Sequence, residues 1–415
     1  MLVNTDRTIL ILSQVYPPDP ASVGQHMADV TEELARRGFS VRVITSDRGY
    51  EDSSVRYQRR EMRRGVDVRR VRWSSFGKKN IALRAVAMGI FMTHCLWAGL
   101  TTRRLGAILV STSPPMCGIA AAVASRVRGI PLKYWVMDLN PDQMIELGKM
   151  SRNSLVARML NALQRIILRQ ARDVVALDRF MAERLGRKLD VRHKLTIMPP
   201  WPHEDTLDII AHDDNWFREK HGLNGKLVFM YSGNHGYSTP VTTLLQAALH
   251  MQDDKSIVFM FIGGGVGKRE VDETIAREHP ENIISLPYQP FEDLRYSLSA
   301  ADIHMVTVGD SVVGVVHPCK IYGAMAVSRP ILLVAPDPCH ASEIIESHGA
   351  GWHLAQGDVQ GVVDTVREIA RLPGPSLGEM GARGRAFIER EMSKQTLCGN
   401  FCDLVEHGLA HQGDA

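Results

Sequence analysis

A chain of 415 residues and 46.2 kDa exceeds one ordinary core and fits two or three domains at about 150 residues each. Hydrophobic residues at 45% and charged residues at 23% exclude extensive disorder, collagen-like repeats and a coiled-coil fibre, and 6% aromatics argue against an all-β sandwich or a stacking platform for single-stranded nucleic acid. The net charge of +3 conceals an asymmetry, since residues 1–200 carry 33 Lys and Arg against 17 Asp and Glu (+16) and the remainder 16 against 29 (−13).

Short apolar runs at 8–13 (TILILS), 40–45 (SVRVIT), 106–110 (GAILV), 133–137 (KYWVM) and 173–177 (DVVAL) read as strands. Helix-period segments at 25–37, 119–128 and 154–171 separate them. A second series begins at 226–231 (KLVFMY) and continues at 256–262, 282–286, 303–308 and 330–334. Alternation of this kind predicts an α/β protein with two doubly wound, Rossmann-like domains facing a central cleft, ligands binding in the loops after the strands. The Pro- and Asp-rich stretch 198–215 is the expected linker, giving domains at 1–200 and 201–389 and a final helical segment at 390–415.

Residues 85–102 contain no Asp, Glu, Lys or Arg, with Arg84, Lys78 and Lys79 before them and Arg103 and Arg104 after. The segment is short of the about 20 apolar residues of a membrane span and is interrupted by Thr93 and His94. An interfacial helix beside the basic run 56–72 fits better, and a buried core helix is the competing reading. Both the charge asymmetry and this segment suit peripheral contact with an anionic membrane. The basic residues form no aromatic-interleaved motif for nucleic acid. Six cysteines at 95, 117, 319, 339, 398 and 402 make neither a disulfide framework nor a metal-ligand spacing, and no signal-peptide pattern opens the chain, so a cytoplasmic protein without a metal is expected.

Candidate chemistry lies at the strand ends. After the first strand a Pro-rich loop opens a helix at Gly24, whose missing Cβ admits close backbone approach. Tyr231-Ser232-Gly233-Asn234-His235-Gly236 follows the first strand of the second series and makes a natural anion cradle at a helix start. The next strand ends in Gly263-Gly264-Gly265-Val266-Gly267-Lys268, without Walker spacing. Lys320, in the first turn of the helix opened by His317-Pro318-Cys319, is misplaced for the helix dipole unless it neutralises a bound phosphate. These features together point to a diphosphate site with no obligatory metal. In the first half, Asp138 and Asp142 lie just past a strand end, where Asp138 can move a proton or orient a hydroxyl, or act as an ordinary cap.

In order, these motifs are the Gly24 loop, Ser111-Thr112-Ser113-Pro114-Pro115, Asp138-Leu139-Asn140-Pro141-Asp142, the Tyr231–Gly236 and Gly263–Lys268 turns, the 317–326 segment and Gly357-Asp358. From residue 9 to about residue 390 the sequence resembles the GT-B-fold retaining glycosyltransferases of family 4, in the branch that builds bacterial surface polysaccharides, fucosaminyltransferase-like proteins among them. The resemblance implies a metal-independent transferase with no cofactor. It would carry a sugar, an N-acetylhexosamine being one candidate, from a nucleotide donor to a polyprenyl-linked or other glycan acceptor. Uridine is the expected base and guanosine the second choice. Gly233, Asn234, His235, Gly263 and Gly265 would form the donor-diphosphate loop, with Lys268 and Lys320 as its charge partners, and Gly24 would approach donor or acceptor. Tyr288 and Gln289 would frame the base, Tyr322 and Gly323 would lie beneath ribose and sugar, and Asp138 would serve the acceptor side. Two glutamates common in the wider family are absent at Val315 and Gly323, and Glu343 is a possible contributor in their place. A nucleotide-sugar 2-epimerase and a catalytically silent scaffold share the fold and are the alternatives.

Overall fold

The computed structural model describes residues 7–49, 52–74, 81–203 and 207–410. The chain divides into two compact units, one made of Met1–Pro200 with Gln395–Ala415 and the other of Trp201–Lys394.

The first unit holds an eight-stranded sheet of β1 (Thr8–Leu12), β2 (Ser40–Ser46), β3 (Arg60–Arg63), β4 (Val66–Val71), β5 (Leu105–Ser111), β6 (Leu132–Trp135), β7 (Asp173–Ala176) and β8 (Leu195–Ile197). Its order is β3-β4-β2-β1-β5-β6-β7-β8, parallel throughout except for the β3–β4 hairpin. Every residue of β1 and β5 is buried, as expected for central strands covered on both faces. The hairpin lies inside the basic run and turns at Arg64 and Gly65, both with positive φ (45° and 84°), the conformation a two-residue hairpin loop requires.

The charge-free segment forms the helix Ile81–Thr101. One stripe, Ala87, Phe91, Cys95 and Ala98, is buried, and its helix packs on Cys117–Arg128. The approach is close, since a Cβ on Gly99 would meet the Ala124 Cβ at 2.5 Å. Outside that stripe the helix leaves Leu83, Val86, Trp97 and Leu100 exposed. The segment is thus buried along one stripe, as a core helix would be, and exposed and apolar elsewhere. Lys78 and Lys79 lie outside the described residues. Among the described residues no helix is long and apolar enough to cross a membrane.

The helix Lys394–Ala410 belongs largely to the first unit. Its Phe401 ring lies 4.1 Å from Trp135, centroid to centroid. Arg37 reaches Asp403 and Glu406 at 2.6 and 2.7 Å, and buried Lys133 donates to Asp173 and the Leu404 carbonyl.

The second unit holds β9 (Leu227–Ser232), β10 (Ile257–Ile262), β11 (Ile283–Leu286), β12 (Ile303–Thr307), β13 (Ile331–Val334) and β14 (Gly351–Leu354), ordered β11-β10-β9-β12-β13-β14 and wholly parallel. Alternation along β9 and β10 splits the core. Phe229, Tyr231, Phe259 and Phe261 pack on one face with Leu244 and Val362, while Val228, Met230, Val258 and Met260 pack on the other with Phe217. This is the strand order of the doubly wound dinucleotide fold, whose direction reverses between β9 and β12.

Candidate functional site

Ligands of such sheets sit outside the carboxyl ends of the strands at that reversal, and there the second unit gathers its glycines. Gly233 follows β9, and Gly263 and Gly265 follow β10, with φ of 127°, 133° and 112° that side-chain-bearing residues rarely adopt. The two turns interlock. A Cβ on Gly263 would lie 2.0 Å from the Gly233 carbonyl oxygen, and one on Gly265 would lie 2.3 Å from Asn234 Oδ1. His235 N donates to Gly264 O at 2.7 Å, and Gly267 N to His235 O at 2.8 Å. Asn234 is exposed on top, its carbonyl accepting from the Tyr231 hydroxyl.

Lys320 crosses this turn. A Cβ on Gly233 would meet its Cε at 2.8 Å, and its ammonium stands 5.2 Å from the Tyr231 ring centroid. Lys268 opens the helix Lys268–Glu278 and is tied down, its ammonium donating to Asp272 at 2.8 Å and to Ser285 Oγ. His235 is 0% exposed, and neither ring nitrogen has a partner among the described residues. Burial, then the charges of Lys320 and Lys268, hold its imidazole down to about 4. Both ammonium groups thus act on one neutral ring inside the glycine turn, a site of fixed positive potential suited to a diphosphate.

Tyr288 is exposed and lies over Gly264, where a Cβ would meet its Cε2 at 2.9 Å. Its ring is thereby brought to the turn, whereas the Gln289 amide nitrogen bonds Pro287 O in its own loop. Tyr322 is 1% exposed, and its hydroxyl bridges His317 Nε2 at 2.8 Å and His340 Nε2 at 2.9 Å, so the phenol is engaged inside the protein. One phenolic proton cannot serve two acceptors, so at least one imidazole donates to the oxygen. Gly323 lies in the short helix Lys320–Ala326, and Glu343 in the first turn of His340–His348, the helix whose first residue joins the Tyr322 bridge. Sequence reasoning missed His317 and His340; a histidine at the start of a helix directly after β13 was the available signal. Among the described residues one trio, Asp337, Glu346 and His353, brings metal-ligating atoms within 4.8 Å of one another, with both carboxylates exposed.

In the first unit, Thr112, just past β5, accepts at Oγ1 from the amides of Met137 and Asp138, at 3.2 and 3.0 Å, and so fixes the end of β6. Asp138 does not cap the following helix, Asp142–Glu146, whose cap position is Pro141. Its half-buried carboxyl makes no side-chain hydrogen bond among the described residues, and removal from water pushes it up to about 6. Asp142, by contrast, pairs with Lys188, which also donates to Asn161 and Gln164. One carboxylate of the motif is thus ion-paired, and the other makes no side-chain hydrogen bond among the described residues. Gly24 is a packing glycine: a Cβ would stand 3.0 Å from Tyr16 N, and its own N–H donates to Ala21 O. Close contact between helix and loop therefore requires glycine at this position.

Comparison with known proteins agrees with this architecture. Residues 22–201 match the glycosyl transferase 4-like domain family and residues 213–387 the glycosyl transferases group 1 family. The chain is 25% identical over 342 residues to the probable glycosyltransferase WbjE of Pseudomonas aeruginosa, covering 82% of this chain and 84% of that one. It is 22% identical over 411 residues to the putative colanic acid biosynthesis glycosyl transferase WcaI of Escherichia coli, covering 96% and 99%. Among solved structures, Anabaena HepE in complex with UDP and glucose superposes with a TM-score of 0.71 at 14% identity, over 97% of this chain and 100% of that chain.

Proposed function

The chain belongs to the GT-B glycosyltransferases, its two halves matching their two family domains, and on that premise we propose that it moves a sugar from a UDP-linked donor to a surface-polysaccharide acceptor with retention of anomeric configuration. The observation that carries this reading is the pair of interlocked glycine turns with Lys320 laid across Gly233 and both lysines acting on His235. In a front-face transfer the demanding event is departure of the nucleoside diphosphate. What the protein supplies is preorganised positive charge at the leaving phosphate, here the ammonium of Lys320, that of Lys268 and the turn amides. Tyr288 over Gly264 offers a stacking surface for the base.

One relative's name supports a surface polysaccharide, since WcaI is described as a putative colanic acid biosynthesis glycosyl transferase, and HepE was solved with UDP and glucose. The finer choices are an N-acetylhexosamine donor, transfer without a metal, and a polyprenyl-linked acceptor presented at the inner face of the cell membrane to a peripheral enzyme. Asp138, without a side-chain hydrogen bond among the described residues and pushed up to about 6 by burial, serves the acceptor hydroxyl. Calorimetric titration with nucleoside diphosphates tests the donor half, because a retained pyrophosphate site must bind at least one of them. Proton NMR of the first-formed glycoside tests retention. Failure of every nucleoside diphosphate to bind refutes the reading, and an inverted product refutes the front-face mechanism.

A further inference from the structure

In a doubly wound sheet, helices cover both faces. In the first unit the Ile81–Thr101 helix leans on Cys117–Arg128 and touches β2, and beside it β2 and β4 floor an open groove of about 1380 Å³. Eight arginines line that groove. Three are paired from within: Arg42 and Arg69 share the single carboxylate of Asp67 at 2.8 and 3.0 Å, and buried Arg70 holds Glu61 at 2.7 Å. Arg59, Arg60 and Arg103 are exposed and have no carboxylate partner among the described residues, and exposed Arg72 stacks on Trp73 at 5.2 Å. So dense a set of like charges is self-repelling unless an anion lies among them.

The groove has an apolar margin as well. Trp97 is 63% exposed and Trp73 53%. The backbone of Trp73 is left-handed at φ 57°, a conformation that is costly for a bulky residue. Leu83, Val86 and Leu100 extend the exposed apolar face of the same helix. A single diphosphate needs far fewer arginines than this, and a nucleic acid has no counterpart for an aliphatic ridge. Many phosphates beside an apolar layer satisfy both features, with guanidinium groups on the headgroups and tryptophans at the interface.

We propose that this groove docks the phosphate headgroups of an anionic bilayer, with Trp73 and Trp97 entering the interface. The proposal rests on the lipid-linked acceptor of the reading above, since it brings the first unit to the surface where such an acceptor resides.

The test is sedimentation of the full chain with vesicles of phosphatidylglycerol and phosphatidylcholine, against phosphatidylcholine alone. The wild type should pellet with the anionic vesicles and be released by salt. Arg60→Glu with Arg103→Glu should weaken partition by about fivefold or more for each arginine replaced, and Trp97→Ala should weaken it further. Thermal unfolding and UDP titration of the same variants verify the fold and should match the wild type. Equal partition onto both vesicle types overturns the proposal, as does wild-type partition by the double variant. So does preferential binding of single-stranded RNA, or of soluble glycerol phosphate, over anionic vesicles. Vesicle binding that persists while UDP fails to bind would remove the donor reading and leave the docking surface; UDP binding without vesicle binding would do the reverse.

Discussion

Asp138→Asn separates a carboxyl kept for chemistry from one kept for structure. Among the described residues nothing gives this carboxyl a side-chain hydrogen bond to compensate its removal from water, and it rises from the ordinary 3.8 to about 6. That rise corresponds to about 3 kcal/mol at 1.36 kcal/mol per pH unit. The sign follows from proton uptake. Below pH 3.8 the folded and unfolded chains both hold the proton, and the carboxyl costs nothing through its charge. Between 3.8 and about 6 the unfolded chain releases it while the folded chain retains it, so stability falls as pH rises, and above about 6 the loss is complete. The asparagine variant lacks this dependence. Whatever constant cost its amide brings, its stability relative to wild type should climb by up to about 3 kcal/mol from pH 4 to pH 7, about 6–12 °C in melting temperature for a unit of this size. Thermal unfolding of both proteins across that range measures it. Transfer activity should move the other way and fall by about a hundredfold or more. A stability difference that is flat with pH would show that the carboxyl is not desolvated, and full activity in the variant would end its assignment to the acceptor hydroxyl.

Gly263→Ala should abolish nucleoside diphosphate binding, because its Cβ would lie 2.0 Å from the Gly233 carbonyl; calorimetry checks it, and unchanged affinity would mean the interlocked turns are not the site. Lys320→Ala should lower turnover by about tenfold, about 1.4 kcal/mol, and more than Lys268→Ala, whose ammonium is already paired with Asp272; the ranking is read from kcat of the two variants. His235, held down to about 4, refuses a proton that the unfolded chain accepts below 6.5, so stability falls as pH drops through that window. His304, buried and likewise held down to about 4, adds to the same fall, and His235→Gln should remove only its own share of the acid dependence in thermal unfolding. Phe401→Ala should destabilise the first unit by about 3–5 kcal/mol in denaturant unfolding, since the ring fills the space against Trp135.

The central strands were legible because burial on both faces leaves no polar residue to blur them: β1, β5, β9 and β10 lie within two residues of their expected bounds. The β3–β4 hairpin was not legible. Arg60–Arg63 and the arginines of β4 read as a charge run, and only Val66 and Val68, both buried, betray the alternation. β14 was missed for a related reason, since its four residues are all half-buried and contain a glycine and a histidine. The helix at Ile81–Thr101 shows the limit of composition. Freedom from charge announces an apolar segment, but which stripe meets the neighbouring helix depends on Gly99 and Ala124, residues from different parts of the chain.

The site divides along the same line. The glycine turns could be read locally, because φ above 100° at Gly233, Gly263 and Gly265 excludes other residues whatever surrounds them. The bridge from His317 through Tyr322 to His340 could not, because it joins the start of one helix to the start of another across β13. Lys320 stands between these cases. A cation in the first helical turn opposes the macrodipole by about 0.3–1 kcal/mol, which signals a purpose without naming the compensation. The structure supplies it through the Tyr231 ring at 5.2 Å and the open side of Gly233, a cation–π contact of about 0.5–1 kcal/mol that offsets the dipole. The two terms nearly cancel while no anion is bound, and when a diphosphate docks both lysine and helix terminus attract it. Ligand-free Lys320→Ala should therefore melt close to wild type while losing affinity for UDP. A variant that melts far below wild type would instead mark Lys320 as a structural residue.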